Sequence, residues 1–235
     1  MERIAVVIPH FGEKRLLERC RESVLMNCPE ITESDFIVID NNPPQNNRYF
    51  TISCNEGIRQ ALRDARIHYI WLLNNDTDVA ASVARMETGE RIGLVAGKNL
   101  RMDNPDEIVW GGSLEPLPAG KHKSGLVSMG QLNTPTQERW LTFTSVLIRR
   151  EVFEEVGLLD PHMRLVYSDV DFCFRARIFG WECWYEPSSV LKHRLGVSYR
   201  PRDRKIERIF NSDYVYFMSK WVNGKLYHDL SQELF

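Results

Sequence analysis

Through the first third of the chain, short apolar runs alternate with segments of helical period. Ile4-Ala5-Val6-Val7-Ile8 is an unbroken, mostly β-branched run of the kind that parallel sheets bury on both faces. The segment 13–27 follows with apolar residues at Leu16, Leu17, Cys20, Val24 and Leu25, a helical spacing. Phe36-Ile37-Val38-Ile39 repeats the strand signature and stops at Asp40-Asn41-Asn42-Pro43-Pro44, residues that favour a turn. A second helix is predicted over 55–65 (Ile58, Ala61, Leu62, Ala65). A third buried strand, Tyr69-Ile70-Trp71-Leu72-Leu73, runs into Asn74-Asn75-Asp76-Thr77-Asp78. Strands alternating with helices predict an α/β fold with a mostly parallel, doubly wound sheet flanked by helices.

Beyond residue 92 the pattern loosens. Strands are predicted over 92–97, 107–114, 140–148, 181–185 and 190–193, with a polar, glycine-bearing loop over 119–137. A short helix over 169–179 ends at Gly180, the residue type that tolerates a left-handed cap. The segment 203–227 has helical spacing at Ile206, Ile209, Phe210, Phe217 and Trp221. No linker or repeat interrupts the 235 residues, so one domain is expected over 1–202, with a helical tail over 203–235.

Composition narrows the class. Thirty Lys and Arg against 32 Asp and Glu leave a net charge of −2, so no global basic field points to nucleic acid. No apolar run approaches the ~20 residues of a bilayer span, and the N-terminus lacks a signal-peptide pattern, so a cytoplasmic protein is expected. Cys20, Cys28, Cys54, Cys173 and Cys183 show no CxxC spacing and read as reduced, buried thiols.

In a doubly wound sheet, ligands sit beyond the carboxyl ends of the strands, where Pro9-His10-Phe11, Asp40-Asn41-Asn42 and Asp76-Thr77-Asp78 all fall. Two carboxylates two residues apart after a buried strand can converge on a hard cation whose shell is completed by phosphate oxygens; a bare polar turn is the competing reading. Asp169 and Asp171 open the 169–179 helix and diverge on it, leaving one to face the crevice while the other caps or pairs, with Arg175 within reach. His193 ends a short strand and starts a stretch, 192–208, with seven Lys or Arg against two acids, an excess suited to a diphosphate or an anionic lipid surface. Trp110-Gly111-Gly112, Trp140, Trp181 and Trp184 offer either core packing or stacking faces for a sugar ring.

The order of these pieces over roughly residues 3–200 resembles the family 2 glycosyltransferases of the GT-A fold, especially their rhamnosyltransferase-like branch. Val6-Val7-Ile8-Pro9, Ile37-Val38-Ile39-Asp40-Asn41, Asn55-x-Gly57-Ile58 with Ala61, and Leu72-Leu73-Asn74-Asn75-Asp76-Thr77-Asp78 are similar to successive motifs of that family. So are Tyr167-Ser168-Asp169-Val170-Asp171 with Arg175 and Gly180-Trp181, and His193 with Gly196 and Ser198. The resemblance implies a nucleotide-sugar half over about 1–100 and an acceptor half over about 101–202. It implies donor contacts from Pro9, His10, Phe11, Asp40, Asn55, Asp76, Arg194 and Arg200. It places Mn²⁺ or Mg²⁺ on Asp76, Asp78 and His193, with the last carboxylate, Asp78, touching the ion, makes Asp169 the catalytic base, and puts the acceptor near Trp110, Gly111 and Asp171. Ser168, where the family commonly has Glu, and Phe143-Thr144, where it has Gly-Ala, depart from the pattern.

The implied reaction is an inverting transfer from a uridine or thymidine diphosphate sugar to a hydroxyl of a glycan or lipid-linked acceptor. The amphipathic tail leaves open packing on the domain, pairing of two chains, or contact with the inner face of a membrane. A sugar nucleotidyltransferase is disfavoured because Pro9-His10-Phe11-Gly12-Glu13 supplies no glycine-rich phosphate loop. A catalytically silent carbohydrate-binding relative and a transferase acting on a nucleic-acid base remain as rivals.

Overall fold

The computed structural model describes residues 3–80, 91–114, 121–195 and 203–222. In chain order the elements are β1 (Arg3–His10), α1 (Lys14–Asn27), β2 (Phe36–Asp40), α2 (Tyr49–Leu62), β3 (Ile67–Leu73), β4 (Thr77–Val79), β5 (Ile92–Arg101), β6 (Glu107–Trp110), β7 (Gly125–Leu126), β8 (Thr136–Glu138), β9 (Ser145–Arg149), α3 (Arg150–Val156), α4 (Ser168–Ile178), β10 (Glu182–His193) and α5 (Arg204–Trp221). The main sheet has the order β2-β1-β3-β9-β5-β10-β4. β1, β2, β3, β5 and β10 run one way, and β9 and β4 run against them. β6 and β7 extend the sheet from β5, and β8 from β10, all antiparallel.

Strand alternation divides the apolar residues between two faces. Val6, Ile8, Trp71, Leu73, Val95 and Leu147 pack against α1 through Leu17, Cys20 and Val24. On the other face Val7, Ile70, Leu72, Leu94 and Ile148 meet Cys54 and Ile58 of α2, Val152 of α3, and Phe172 and Phe174 of α4, with Phe217 and Trp221 of α5 closing that core. All five cysteines are free and buried, and the Cys173 and Cys183 thiols hydrogen-bond one another.

Several boundaries differ from the sequence reading, each for a local reason. α2 begins at Tyr49 rather than near residue 55, because its first turns bury the polar residues Thr51 and Ser53 instead of apolar ones. The two strands predicted over 181–185 and 190–193 are one strand, β10, whose register with β5 shifts between Glu186 and Val190, a bulge that accommodates Pro187. The strand predicted over 140–148 starts only at Ser145, leaving Thr142 to Thr144 as a loop. The strand over 107–114 stops at Trp110, since Gly112 turns the chain with φ 114°. The loop over 119–137 carries the short strands β7 and β8.

Gly57 shows how closely α2 rides on the sheet. A Cβ there would lie 2.3 Å from Val7 Cγ1 and 3.4 Å from Ile39 Cγ1. Gly57→Ala is expected to cost about 1–2 kcal/mol, the overpacking outweighing the gain in helix propensity. A urea titration checks this; an unchanged or raised midpoint would show that the α2–β1 contact yields freely. Among the described residues, no helix is long and apolar enough to cross a membrane.

Candidate active site

A cleft of about 1220 Å³ opens beyond the carboxyl ends of β1, β2, β3, β5 and β10. At one end, Pro9 and Phe11 follow β1, and Asn41 and Asn42 follow β2. Asn41 is fixed from all sides. Its N–H donates to His10 O (2.8 Å), while its Oδ1 accepts from Ser53 Oγ (2.8 Å) and Arg48 N (3.3 Å). His10 is buried behind this wall, its Nδ1 3.2 Å from Asn75 Nδ2, and burial lowers its pKa against the opposing charge of Asp40. Asp40 is exposed and accepts from Asn42 N and Nδ2 (both 2.9 Å), bonds that hold its carboxyl below the usual range.

In the middle stand Asp76 and His193, on adjoining strand ends. Both line the cleft, Asp76 almost wholly buried, with His193 Nε2 3.4 Å from Asp76 Oδ1. Arg194 N donates to Asp76 O (3.0 Å), so the arginine contributes its backbone here, and the residue is exposed. Asp78 does not join them. The turn before β4, closed by Thr77 Oγ1 donating to Asn74 O (2.7 Å), carries Asp76, whereas Asp78 lies within β4 and ion-pairs with Arg19 of α1. The expected trio of Asp76, Asp78 and His193 is therefore reduced to a pair, and no cluster of three or more such ligands forms among the described residues. The pair still suits a hard cation: one carboxylate and one imidazole face the cleft, with room for phosphate oxygens and water to complete a shell. Arg200, Gly196 and Ser198 lie outside the described residues.

Asp169 occupies the first turn of α4 and lines the cleft. Burial raises the pKa of its carboxylate to about 6, although Val170 N–H (2.9 Å), its own N–H and Phe143 N–H partly offset the shift. The chain reaches this helix through Tyr167, a non-glycine residue at φ 66°, stacked on Phe217 with centroids 5.0 Å apart. Such a backbone persists only where its surroundings fix it. They do so here through α5: the buried Asp213 accepts from Leu165 N (2.7 Å) and Val166 N (3.2 Å). α5 is thus docked on the domain, and its Ile206 and Phe210 help to wall the cleft. Ser168 is buried with its Oγ 2.9 Å from Thr51 Oγ1, while Phe143 packs edge-on against Phe172 at 5.9 Å. Ser168, Phe143 and Thr144 all line the cleft as well.

Three residues expected in the site are structural. Asn55 clamps Leu159, donating to its O (2.8 Å) and accepting from its N (3.0 Å), and does not line the cleft. Asp171 is fully buried and holds Arg175 Nε (2.9 Å), Lys220 Nζ (2.7 Å) and Trp221 Nε1 (2.8 Å). Gly111 is packed against Leu132, its N–H given to Lys123 O (2.9 Å), whereas Trp110 does line the cleft. The sequence reading missed Asn75, Asn99 and the paired Arg101 and Glu107, which line the same cleft. Asn75 sits within a motif already singled out; β5 and β6 offered no comparable signal.

No protein-family model and no curated protein matches the chain in sequence. In fold it is similar to GalNAc-T7, crystallised with UDP, GalNAc and Mn²⁺, at 14% identity over 97% of this chain and 54% of that one, with a TM-score of 0.63. The chain thus spans about half the length of that protein. It is likewise similar to the catalytic domain of Drosophila β1,4-galactosyltransferase 7, crystallised with xylobiose, at 14% identity, 91% and 81% coverage and a TM-score of 0.56. A197 from STIV gives 13% identity, 82% and 86% coverage and a TM-score of 0.52. At such identities the likeness speaks of architecture, and the architecture is that of the GT-A glycosyltransferases.

Proposed function

We propose that the chain is an inverting glycosyltransferase, moving a sugar from a uridine or thymidine diphosphate donor to a hydroxyl of a glycan or lipid-linked acceptor. The observation that carries this reading is Asp169, a carboxylate whose pKa burial raises to about 6, in the same cleft as the Asp76–His193 pair. A base titrating near neutrality is suited to take a proton from an alcohol as it attacks.

In this reading the Pro9, Phe11, Asn41 and Asn42 wall receives the nucleoside, and the diphosphate lies against Asp76 and His193. Those two residues would hold a divalent cation, Mn²⁺ or Mg²⁺, which when bound neutralises the charge gathering on the leaving diphosphate. The acceptor oxygen forms its bond to the anomeric carbon as the bond to the diphosphate breaks. The electron pair leaves with the nucleotide, and the acceptor proton passes to Asp169. Attack opposite the leaving group inverts the anomeric centre.

The test is donor turnover with manganese across a panel of nucleotide sugars, since a silent sugar-binding relative would release no nucleotide diphosphate. Asp76→Ala is expected to lose stimulation by Mn²⁺, and Asp78→Ala to keep it. Equal loss in both would return Asp78 to the site, and metal-independent turnover in the wild type would remove the cation from the reaction.

A further inference from the structure

His10 closes β1, is 4% exposed and does not line the cleft. The family resemblance implies a donor contact there; the fold gives the residue another task. Its carbonyl accepts from Asn41 N (2.8 Å), just beyond β2, and its ring Nδ1 lies 3.2 Å from Asn75 Nδ2, just beyond β3. One buried residue thus joins the wall at Asn41 to the turn whose next residue is Asp76. The other anchors of that turn lead away from this wall: Asn74 N donates to Thr144 O (2.9 Å) and Arg194 N to Asp76 O (3.0 Å), toward β9 and β10.

A third atom fixes the direction of the ring's bond. Asn75 Nδ2 is also 3.3 Å from Phe11 O. A carbonyl oxygen only accepts, so the amide atom facing it is the NH₂ group, whose second hydrogen is left for His10. Nδ1 is therefore the acceptor, and the ring carries its proton on Nε2. An imidazolium would turn an N–H toward the amide N–H and lose the bond; burial, which disfavours the charged ring, works in the same direction. A nucleoside diphosphate has a set reach from base to phosphates, so its two ends bind together only while the wall at Asn41 and the Asp76–His193 pair keep the matching separation. We infer that His10 is a positioning residue: through its neutral Nε2–H ring it holds Asn75, and with it the turn of Asp76, in register with the wall that receives the nucleoside, without touching the donor. The coupling of the two ends rests on the transferase reading; the direction of the His10–Asn75 bond does not.

Two measurements test it. Nitrogen magnetic resonance of isotopically labelled histidine, with His10 assigned sequentially in the wild type, is expected to show Nδ1 bare and Nε2 protonated near neutral pH. Calorimetric titration then compares the better-binding nucleoside, uridine or thymidine, with its diphosphate in the presence of Mn²⁺. His10→Phe keeps the bulk of the ring and removes the acceptor, whereas His10→Asn loses bulk and returns an amide oxygen near the place of Nδ1. His10→Phe is expected to weaken the diphosphate at least about tenfold and the nucleoside no more than about twofold, because the bond from Asn41 to His10 O belongs to the backbone. His10→Asn should recover most of the loss; a role in packing alone predicts the reverse order, with Phe the better substitute. The inference is overturned if Nδ1 carries the proton, if His10→Phe binds the diphosphate as the wild type does, if the nucleoside weakens equally, or if His10→Asn recovers nothing. The nitrogen spectrum needs no variant, so it decides the bond even where a substituted chain does not fold. A wild type that binds neither diphosphate would sink the proposed reaction, whereas equal diphosphate binding by the wild type and His10→Phe would sink the positioning role and spare the reaction.

Discussion

Asp169→Asn is expected to lower sugar transfer by about 10²–10⁴-fold while leaving uridine diphosphate binding within about twofold of the wild type. The amide occupies the same volume and cannot accept the acceptor's proton. Because the carboxylate titrates at about 6, transfer by the wild type should fall away as pH drops through that value, the deprotonated form being the active one. The same shift has a consequence for stability whose sign is opposite. A carboxyl with a raised folded-state pKa favours the folded protein most below its ordinary value of 3.8, and that contribution is lost as pH rises through about 6. Above pH 6 the buried charge therefore opposes folding, by about 2–3 kcal/mol. Asp169→Asn should accordingly melt roughly 5 °C higher than the wild type at pH 8, with no gain near pH 4. Transfer that survives in the variant would dismiss Asp169 as the base; a melting difference that ignores pH would dismiss the buried charge.

Asp171→Ala should behave in the opposite way, losing about 3–5 kcal/mol of stability, because it strands Arg175 and Lys220 beside an empty carboxylate site and leaves the Trp221 indole N–H unmet. Asp160, which accepts from Lys220 (2.8 Å) and Tyr216 (3.2 Å), keeps part of the lysine's surroundings intact. Against the burial that would lower it, Asp171 and Asp160 hold Lys220 above its ordinary pKa. Urea unfolding measures the loss. A change below about 1 kcal/mol, together with weakened acceptor binding, would restore Asp171 to the site.

The two aspartates show what a sequence discloses and what it withholds. Placed two apart at a helix start, they announce that one faces the crevice and one pairs inward. Arg175 is visible as a partner at one turn's distance, but Lys220 and Trp221 lie 49 and 50 residues further on, and only the folded chain brings them together. The first three strands were legible because each is a continuous apolar run ending in turn residues. The start of α2 was hidden because Thr51 and Ser53 are buried through hydrogen bonds, to Met163 O and to Asn41, that no periodicity reports. Asp76 and Asp78 invited an argument from alternation, which holds inside a strand; Asp76 belongs to the turn before one. The opposite error concerns Asn55, where a polar residue in a motif-like setting proved to be a clamp on Leu159.

The docking of α5 against the loop that carries Tyr167 and Asp169 sets an order on biosynthesis. A ribosome that has released everything through β10 has delivered every other wall of the cleft, yet the backbone N–H groups of Leu165 and Val166 still lack Asp213, and the ring of Tyr167 still lacks Phe217. The nascent polypeptide thus lacks the supports of this loop until residues 204–221 emerge, and cutting the gene just before them would remove those supports along with the helix.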